Sequence, residues 1–298
     1  MTWIKTRFPE PRAALFEADG LRWLAQAPGG ARIAEVISVR PGRLELEEIS
    51  SARPTPAAAR IFGAALARTH AAGAEHMGYI PGDTPGYMGQ APLPPAPSAV
   101  EATGWGEFYA AHRVQPFLRT AVQQGRIDRS GQAVIESVIT RLTRGELDHD
   151  QPAAVDGVAR LHGDLWTGNV LWETADDGEG AAREGGSGGG GAGGAAAHGG
   201  DPGSGGPDGG GAQRVDVRAV LIDPTAHGGH AETDLAMLEL FGQPYLSEIL
   251  EGYQEVSPLA AGWQDRVSLH QLNPLLVHTV LFGGSYAAAA VAAARPYA

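Results

Sequence analysis

Residues 161–172 read Leu161-His162-Gly163-Asp164-Leu165-Trp166-Thr167-Gly168-Asn169-Val170-Leu171-Trp172. The stretch holds the pattern His-x-Asp-x-x-x-x-Asn, opening from an apolar residue and running into an apolar strand. Phosphoryl transfer needs an acceptor hydroxyl aimed at a phosphorus and a group to take its proton, and an aspartate such as Asp164 can do both. An asparagine five residues on, Asn169, can turn its carbonyl oxygen toward Mg²⁺, a cation that prefers hard oxygen donors.

A second stretch, Val220-Leu221-Ile222-Asp223-Pro224, is an apolar strand ending in a carboxylate that can serve as a second metal ligand. Asn169 precedes the strand Val170–Trp172, and Asp223 follows a strand expected over Val215–Ile222. If these strands pair antiparallel, both residues fall at one end of a hairpin. The connection at the other end can then take any length. Lengthening a loop from about five to about forty residues costs only about 2 kcal/mol of closure entropy. Such a connection is present: residues 174–213 form a low-complexity tract rich in glycine, with too little apolar surface to offset chain ordering. It is expected to be a disordered insert. Its Gly185-x-Ser187-x-Gly189 match lacks the strand and helix that a nucleophile elbow needs, and it has no Gly-Lys-Ser/Thr for a phosphate loop.

Upstream, Trp3–Thr6 reads as a short strand and Ala13–Gln26 as a helix, with Leu15, Ala18, Leu21 and Leu24 at helical spacing. Lys5 followed by Glu17 on that helix suits an ion pair that steadies nucleotide phosphates. Ile33–Val39 and Arg43–Ile49 read as two strands around Pro41-Gly42, and Glu47 to Ile49 stand where a hinge would offer backbone groups to adenine. Beyond Pro54-Thr55-Pro56, helices are expected over 57–72, 105–124 and 131–144. A proline- and glycine-rich surface wrap is expected over 79–97. Helices again follow from Thr233, broken near Pro244, Pro258 and Pro274.

Composition narrows the field. There are no cysteines, so disulfides, thiolate metal sites and a cysteine nucleophile are excluded. Net charge is −12 and no dense basic run occurs, which argues against nucleic acid as a partner. Leu275–Ala294 is apolar but interrupted by His278, Ser285 and Tyr286, and reads as a buried helix or helix pair, with no membrane partner. No charged-then-apolar leader pattern is seen, and a cytoplasmic location is expected. His162 reads as a structural residue packing and hydrogen-bonding the Asp164 loop rather than as a proton shuttle, and His227 and His230 read as loop-fixing residues, because no carboxylate or cysteine spacing supports a zinc motif. Asp234 reads as a residue ordering the Asp164 loop or the helix start. Trp166 reads equally as a platform for a sugar face or as packing, and Trp105 and Trp263 as core.

The segments LHGDLWTGNVLW, LIDPTAHGGHAETDLAMLELFG and YQEVSPLAAGWQDRVSLHQLNPLLVHTVLFGGSY resemble the fructosamine (ketosamine) kinase family, and the resemblance covers nearly the whole chain outside 174–213. It implies an α+β, protein-kinase-like fold of two lobes, a small one over 1–51 and a mostly helical one over 52–298. It also implies ATP with Mg²⁺ and a free or protein-bound ketosamine phosphorylated on the sugar 3-hydroxyl. Asp164 would then be catalytic, Asn169 and Asp223 metal ligands, Lys5, Glu17, Glu47 and Ile49 nucleotide-binding residues, and Trp166 a substrate contact. The family's small lobe has two strands and a glycine-rich loop before the lysine strand. Here that lobe looks truncated, and the recorded start is expected to lie downstream of the true one. Two other readings stay open: another hydroxylated acceptor, such as an aminoglycoside or a choline-like compound, and a non-catalytic kinase-like protein.

Overall fold

The computed structural model describes residues 2–94, 104–175 and 217–298. All of the 174–213 tract beyond Ala175 lies outside the described residues, as do residues 95–97 of the expected wrap and the first two residues of the strand expected over 215–222.

The architecture is α+β. Strand β1 (Thr2–Lys5), helix α1 (Ala13–Ala25) and strands β2 (Arg32–Ile33), β3 (Val36–Arg40) and β4 (Arg43–Glu47) come first. β1, β4 and β3 form an antiparallel sheet in that order, with Lys5 opposite Leu44. β1 is the sheet edge, and Trp3 and Ile4 on it are 46% and 43% exposed. Leu44 and Leu46, two apart on β4, point to one face, where Ala14, Ala18, Leu21 and Leu24 of α1 cover them. The single strand expected over Ile33–Val39 is split. Arg32–Ile33 leaves the sheet and pairs parallel with Val220–Leu221, and the Ala34 amide donates to Leu221 O at 3.0 Å. The Glu35 amide meanwhile donates to Glu47 Oε1 at 2.7 Å, so both amides at the break are hydrogen-bonded. This splice joins the small sheet to the segment that carries Asp223.

Helix α2 (Pro56–Ala71) starts at an N-cap, Thr55, whose hydroxyl accepts from the Ala58 amide, with Pro56 pre-set in the first turn. Strands β5 (Tyr87–Met88) and β6 (Ala91–Pro92) form a small hairpin in the proline-rich segment. This corrects the surface-wrap expectation. Met88, Ala91 and Leu93 are buried, because the hairpin lays its apolar side on the helical layer. Next come α3 (Trp105–Phe108), a π-helical stretch (Tyr109–Val114), α4 (Gln115–Gln123) and α5 (Arg129–Thr143). Three strands follow: β7 (Ala159–Leu161), β8 (Val170–Thr174) and β9 (Val217–Leu221). Then come β10 (His227–Gly229), α6 (Glu232–Leu240), α7 (Leu246–Val256), α8 (Trp263–Phe282) and α9 (Tyr286–Ala294). Gly283 and Gly284, both at positive φ, separate α8 from α9, and among the described residues no helix is long and apolar enough to cross a membrane. Trp105 is core, whereas Trp263 at the start of α8 is only half-buried.

Pro274 does not break the chain as expected; it sits inside α8. A proline there leaves the carbonyl four residues earlier without its helical donor. The Tyr109 hydroxyl lies 3.0 Å from that carbonyl, His270 O, and 3.0 Å from Leu269 O, shares its one proton between them, and accepts from the Asn273 amide. A buried tyrosine from the π-helical stretch thus repairs the gap.

One hydrophobic core crosses from the small sheet into α2, β8, β9 and α7, and a second lies among α3, α4, α5, α8 and α9. Arg160 on β7 ties the layers together. Its guanidinium lies 4.5 Å from the Trp23 ring and donates to Trp23 O, Ala72 O and Gly73 O, carbonyls at the ends of α1 and α2. α2 and α7 cross at Gly63 and Gly252, where a Cβ on Gly252 would collide with the Arg60 carbonyl and one on Gly63 with the Ile249 carbonyl. Backbone cannot yield as a side chain can, so Gly252→Ala is expected to cost about 1–3 kcal/mol of stability. Urea unfolding of the two proteins, compared by midpoint at equal slope, checks this.

Candidate functional site

β8 and β9 pair antiparallel, with Val170 opposite Leu221 and Thr174 opposite Val217. The register puts Asn169 and Asp223 at the same end. There the Ile222 amide donates to Asn169 O at 3.1 Å, and Asn169 Nδ2 lies 3.4 Å from Asp223 O. Asn169 Nδ2 also donates to Asp164 O at 2.8 Å and to Asp164 Oδ2 at 3.2 Å. The amide nitrogen is thereby committed, and Oδ1 is the atom left for a cation. Asp223 adopts φ 52°, a left-handed conformation that costs a non-glycine residue about 1–2 kcal/mol. Strain of this kind collects at functional sites.

The loop carrying Asp164 is pinned from beneath. The buried Asp234 carboxylate accepts from the His162 amide at 2.7 Å and the Gly163 amide at 2.9 Å, and His70 Nε2 lies 3.2 Å away. Burial opposes the charge on Asp234, but the hydrogen bond and charge of His70 outweigh it and hold this carboxyl below its usual range. His70 is itself fixed by the Tyr253 hydroxyl at 2.9 Å. His162 is buried, and its Nε2 donates to Ile222 O at 2.9 Å, linking the loop to the end of β9. Gly163, at φ 81°, passes so close to Thr225 O and His227 Nδ1 that a Cβ would not fit.

Lys5 Nζ lies 2.7 Å from Glu17 Oε2 and 3.1 Å from Asp223 Oδ1. Burial disfavours the ammonium, but the two carboxylates outweigh it and raise the Lys5 pKa. Glu17 is the weaker partner. Burial pushes it up to about 7 in spite of Lys5, helped by the Asp223 charge. Asp164 is pushed up to about 6, first by burial, against the Asn169 hydrogen bond and with the charges of Asp223 and Asp234 adding to the rise. Glu17 Oε1 and Asp223 Oδ1 are buried without an aligned hydrogen-bond donor. The Asp223 carboxylate, whose Oδ1 has only the charge of Lys5 beside it, and Asn169 Oδ1 are hard oxygen donors of the kind that a divalent cation such as Mg²⁺ takes.

Lys5, Glu17, Asp164, Trp166, Asn169 and Asp223 all line one cavity of about 230 Å³. Trp166 is 38% exposed there and packs edge-on against Phe241. Glu47 and Ile49 are not in it. They line a more apolar cavity of about 350 Å³ with Trp3, Ala34, Leu46 and Ile222. Trp3 and Lys5 are two apart on β1 and face the same way, and Ile222 adjoins Asp223, so the cavities are neighbours along one cleft. The Glu47 side chain is spent on Arg32 at 2.6 Å and on the Glu35 amide. Sequence reasoning missed Tyr87, Gly89 and Gln90 at the mouth of the first cavity. Their hairpin is held by the Thr225 hydroxyl, which donates to Tyr87 O at 3.1 Å. Two-residue strands carry no periodic signal, so only the Tyr87 and Met88 pair hinted at anything beyond a loop.

Comparison with known proteins bears on the chain as a whole. The family model described as fructosamine kinase matches residues 17–295. A "Probable ketoamine kinase" of Synechocystis sp. is 30% identical over 182 residues, 61% of this chain and 44% of that protein. One of Klebsiella aerogenes is 30% identical over 193 residues, 64% of this chain and 49% of its own length. The chain thus matches about half the length of these curated relatives. A crystal structure titled "putative fructosamine-3-kinase" from Thermobifida fusca has 37% identity and a TM-score of 0.71, covering 95% of this chain and 79% of that one. Another, from Haemophilus somnus, has 18% identity and a TM-score of 0.68, covering 99% and 82%, and supports the fold alone.

The raised acids set a pH dependence. A carboxyl with a folded pKa above its unfolded value stabilises the fold below the unfolded value, and that stability is lost as pH rises through the folded one. For Asp164 the window runs from about 4 to about 6. Two units would be worth nearly 3 kcal/mol at full weight, but Asp164 opens onto the cleft and is partly solvated, so about 1–2 kcal/mol is expected. Asp164→Asn is therefore predicted to be more stable than the parent at pH 8 and no more stable at pH 4, as denaturant titrations at the two pH values would show.

Proposed function

Because the chain belongs to the fructosamine kinase family, we propose that it transfers the terminal phosphoryl group of ATP to a hydroxyl of a ketosamine, the sugar 3-hydroxyl of a fructosamine or ribulosamine. The carrying observation is the convergence of Asp164, Asn169, Asp223 and the Lys5–Glu17 pair on one cavity. The phosphorylated ketosamine would then break down and free the amine, which makes the reaction a deglycation. ATP as co-substrate favours a cytoplasmic site of action.

In this reading the Asp164 carboxylate accepts a hydrogen bond from the acceptor hydroxyl, aims its oxygen at the terminal phosphorus and takes the proton. A carboxyl with a pKa of about 6 is mostly ionised at neutral pH yet more basic than an ordinary aspartate, which suits a general base. Asn169 supports that carboxylate through Nδ2. The Lys5 ammonium, steadied by Glu17, pairs with phosphate oxygens. Asp223 and Asn169 Oδ1 would hold Mg²⁺, which when bound neutralises phosphate charge. Trp166 offers a flat apolar face to the sugar. The adjoining apolar cavity beside Glu47 and Ile49 takes the adenine, with backbone groups of that segment as hydrogen-bonding partners. The division into a small unit over 1–51 and a larger one over 52–298 is part of the same reading.

ADP release with fructosyl-lysine or ribulosyl-lysine as acceptor tests it. Asp164→Asn is expected to lower kcat about 10²–10⁴-fold, the usual contribution of a positioned base, with little change in KM for ATP. Equal turnover by the two proteins removes Asp164 from the mechanism, and no acceptor-dependent ADP release by the parent removes the ketosamine reading.

A further inference from the structure

Outside the cleft, four side chains far apart in sequence meet in one buried place: His149 after α5, His230 and Glu232 at the start of α6, and His270 in α8. Their potential ligand atoms all lie within 4.8 Å of one another. His149 Nε2 is 2.9 Å from His270 Nε2, and Glu232 Oε2 is 3.6 Å from the first and 3.4 Å from the second. A hydrogen bond accounts for the short edge of this triangle but not for the two longer ones. A point equidistant from the three atoms lies roughly 1.9 Å from each, close to the 2.0–2.2 Å of zinc bonds to imidazole and carboxylate.

The surroundings aim these atoms inward. His149 Nδ1 is 2.9 Å from Leu147 O, and a carbonyl can only accept, so the proton sits on Nδ1 and the Nε2 lone pair faces the triangle. His270 Nδ1 is 3.0 Å from the Thr233 hydroxyl, which can accept in the same way. Such outer partners are what orient histidine ligands. Burial, together with the neighbouring imidazoles for His149 and His230, lowers all three histidine pKa values, which keeps lone pairs available. Arg266 shares the carboxylate, at 2.6 Å from Oε1 and 3.0 Å from Oε2, so Oε1 can stay with the guanidinium while Oε2 turns to an ion. The Trp105 ring closes the site, with its centroid 4.5 Å from that of His149 and 4.7 Å from that of His270.

We propose that His149, His270 and Glu232, with His230 on the fourth side, form a structural site for a divalent first-row ion of the zinc class. Two imidazoles and one carboxylate without thiolate suit Zn²⁺ or Co²⁺ and are a poor match for Mg²⁺, which prefers oxygen throughout. The His230 nitrogens face Asp150 O and the Glu232 amide, both at 3.2 Å, so His230 joins the ion by exchanging one of these bonds. The ion would fasten the loop around His149 and helix α8 to the first turn of α6. Glu232 stands two residues before Asp234, so that anchor reaches the carboxylate holding the Asp164 loop. Spacing along the sequence could not reveal this site, because its donors come from three separate segments.

The test uses the full chain, stripped with chelator and titrated with Co²⁺ alone. One equivalent should bind with the visible absorption of a tetrahedral nitrogen–oxygen site, be displaced by Zn²⁺, and raise the thermal midpoint by several degrees. His149→Gln and His270→Gln should each abolish the band, whereas His278→Gln, on the far part of α8, should keep it. Absence of saturable binding in the parent, or a band that survives both substitutions, overturns the proposal. Should either variant fail to fold, X-ray absorption of the parent zinc form decides. A shell of imidazole nitrogens and one or two oxygens supports the site, and an all-oxygen shell overturns it.

Discussion

The site depends on the register of one hairpin. With Val170 opposite Leu221, the residue before β8 and the residues after β9 are brought side by side, and a shift by one residue would turn every side chain on one strand to the opposite face. Val170, Trp172, Ala219 and Leu221 lie on one face of the pair, in the core that α2 and α7 complete, so a one-residue slip of β9 would turn Arg218 toward that core in place of Ala219. Packing on one side of the hairpin thereby fixes chemistry at its end.

Around that hairpin, three devices turn position into orientation. Asp234 collects the amides of His162 and Gly163 from below. Asn169 links the Asp164 carboxylate to the Asp223 backbone. The parallel pairing of Arg32–Ile33 with β9 draws the small sheet, and Lys5 with it, onto the same platform. Buried acids at this site are held against their solvation preference, as the elevated Asp164 and Glu17 show.

Much of this placement was legible in the sequence because it is local. Two short apolar runs each end in a polar residue of the right type, and α1 follows β1 closely enough that Lys5 and Glu17 had few other ways to meet. Both are statements about position; what the residues do remains the proposal above. What was not legible depends on partners distant in sequence. Pro274 reads as a breaker until Tyr109 supplies the missing donor. The run from Ile33 to Val39 reads as one strand until β9 competes for its first residue. Tyr87 sits on a strand too short for alternation to show, with Gln90 in the turn that follows it, and the histidines at 149, 230 and 270 share no spacing at all.

Arg160 has a consequence for motion. One guanidinium is bonded to the ends of both α1 and α2 while stacked on Trp23, so the C-terminal end of α1 cannot swing away from β7. Widening of the mouth beside Lys5 is then a rotation with its axis near Trp23, like a jaw on a pin. Ten helical residues separate Trp23 from Ala13, a lever arm of about 15 Å, so a turn of about 10° carries Ala13 through about 2–3 Å while Ala25 barely stirs. Ala13, Phe16 and Glu17, which line the cavity beside Lys5, all lie on the moving side of that pivot, so the cavity widens along the first turns of α1.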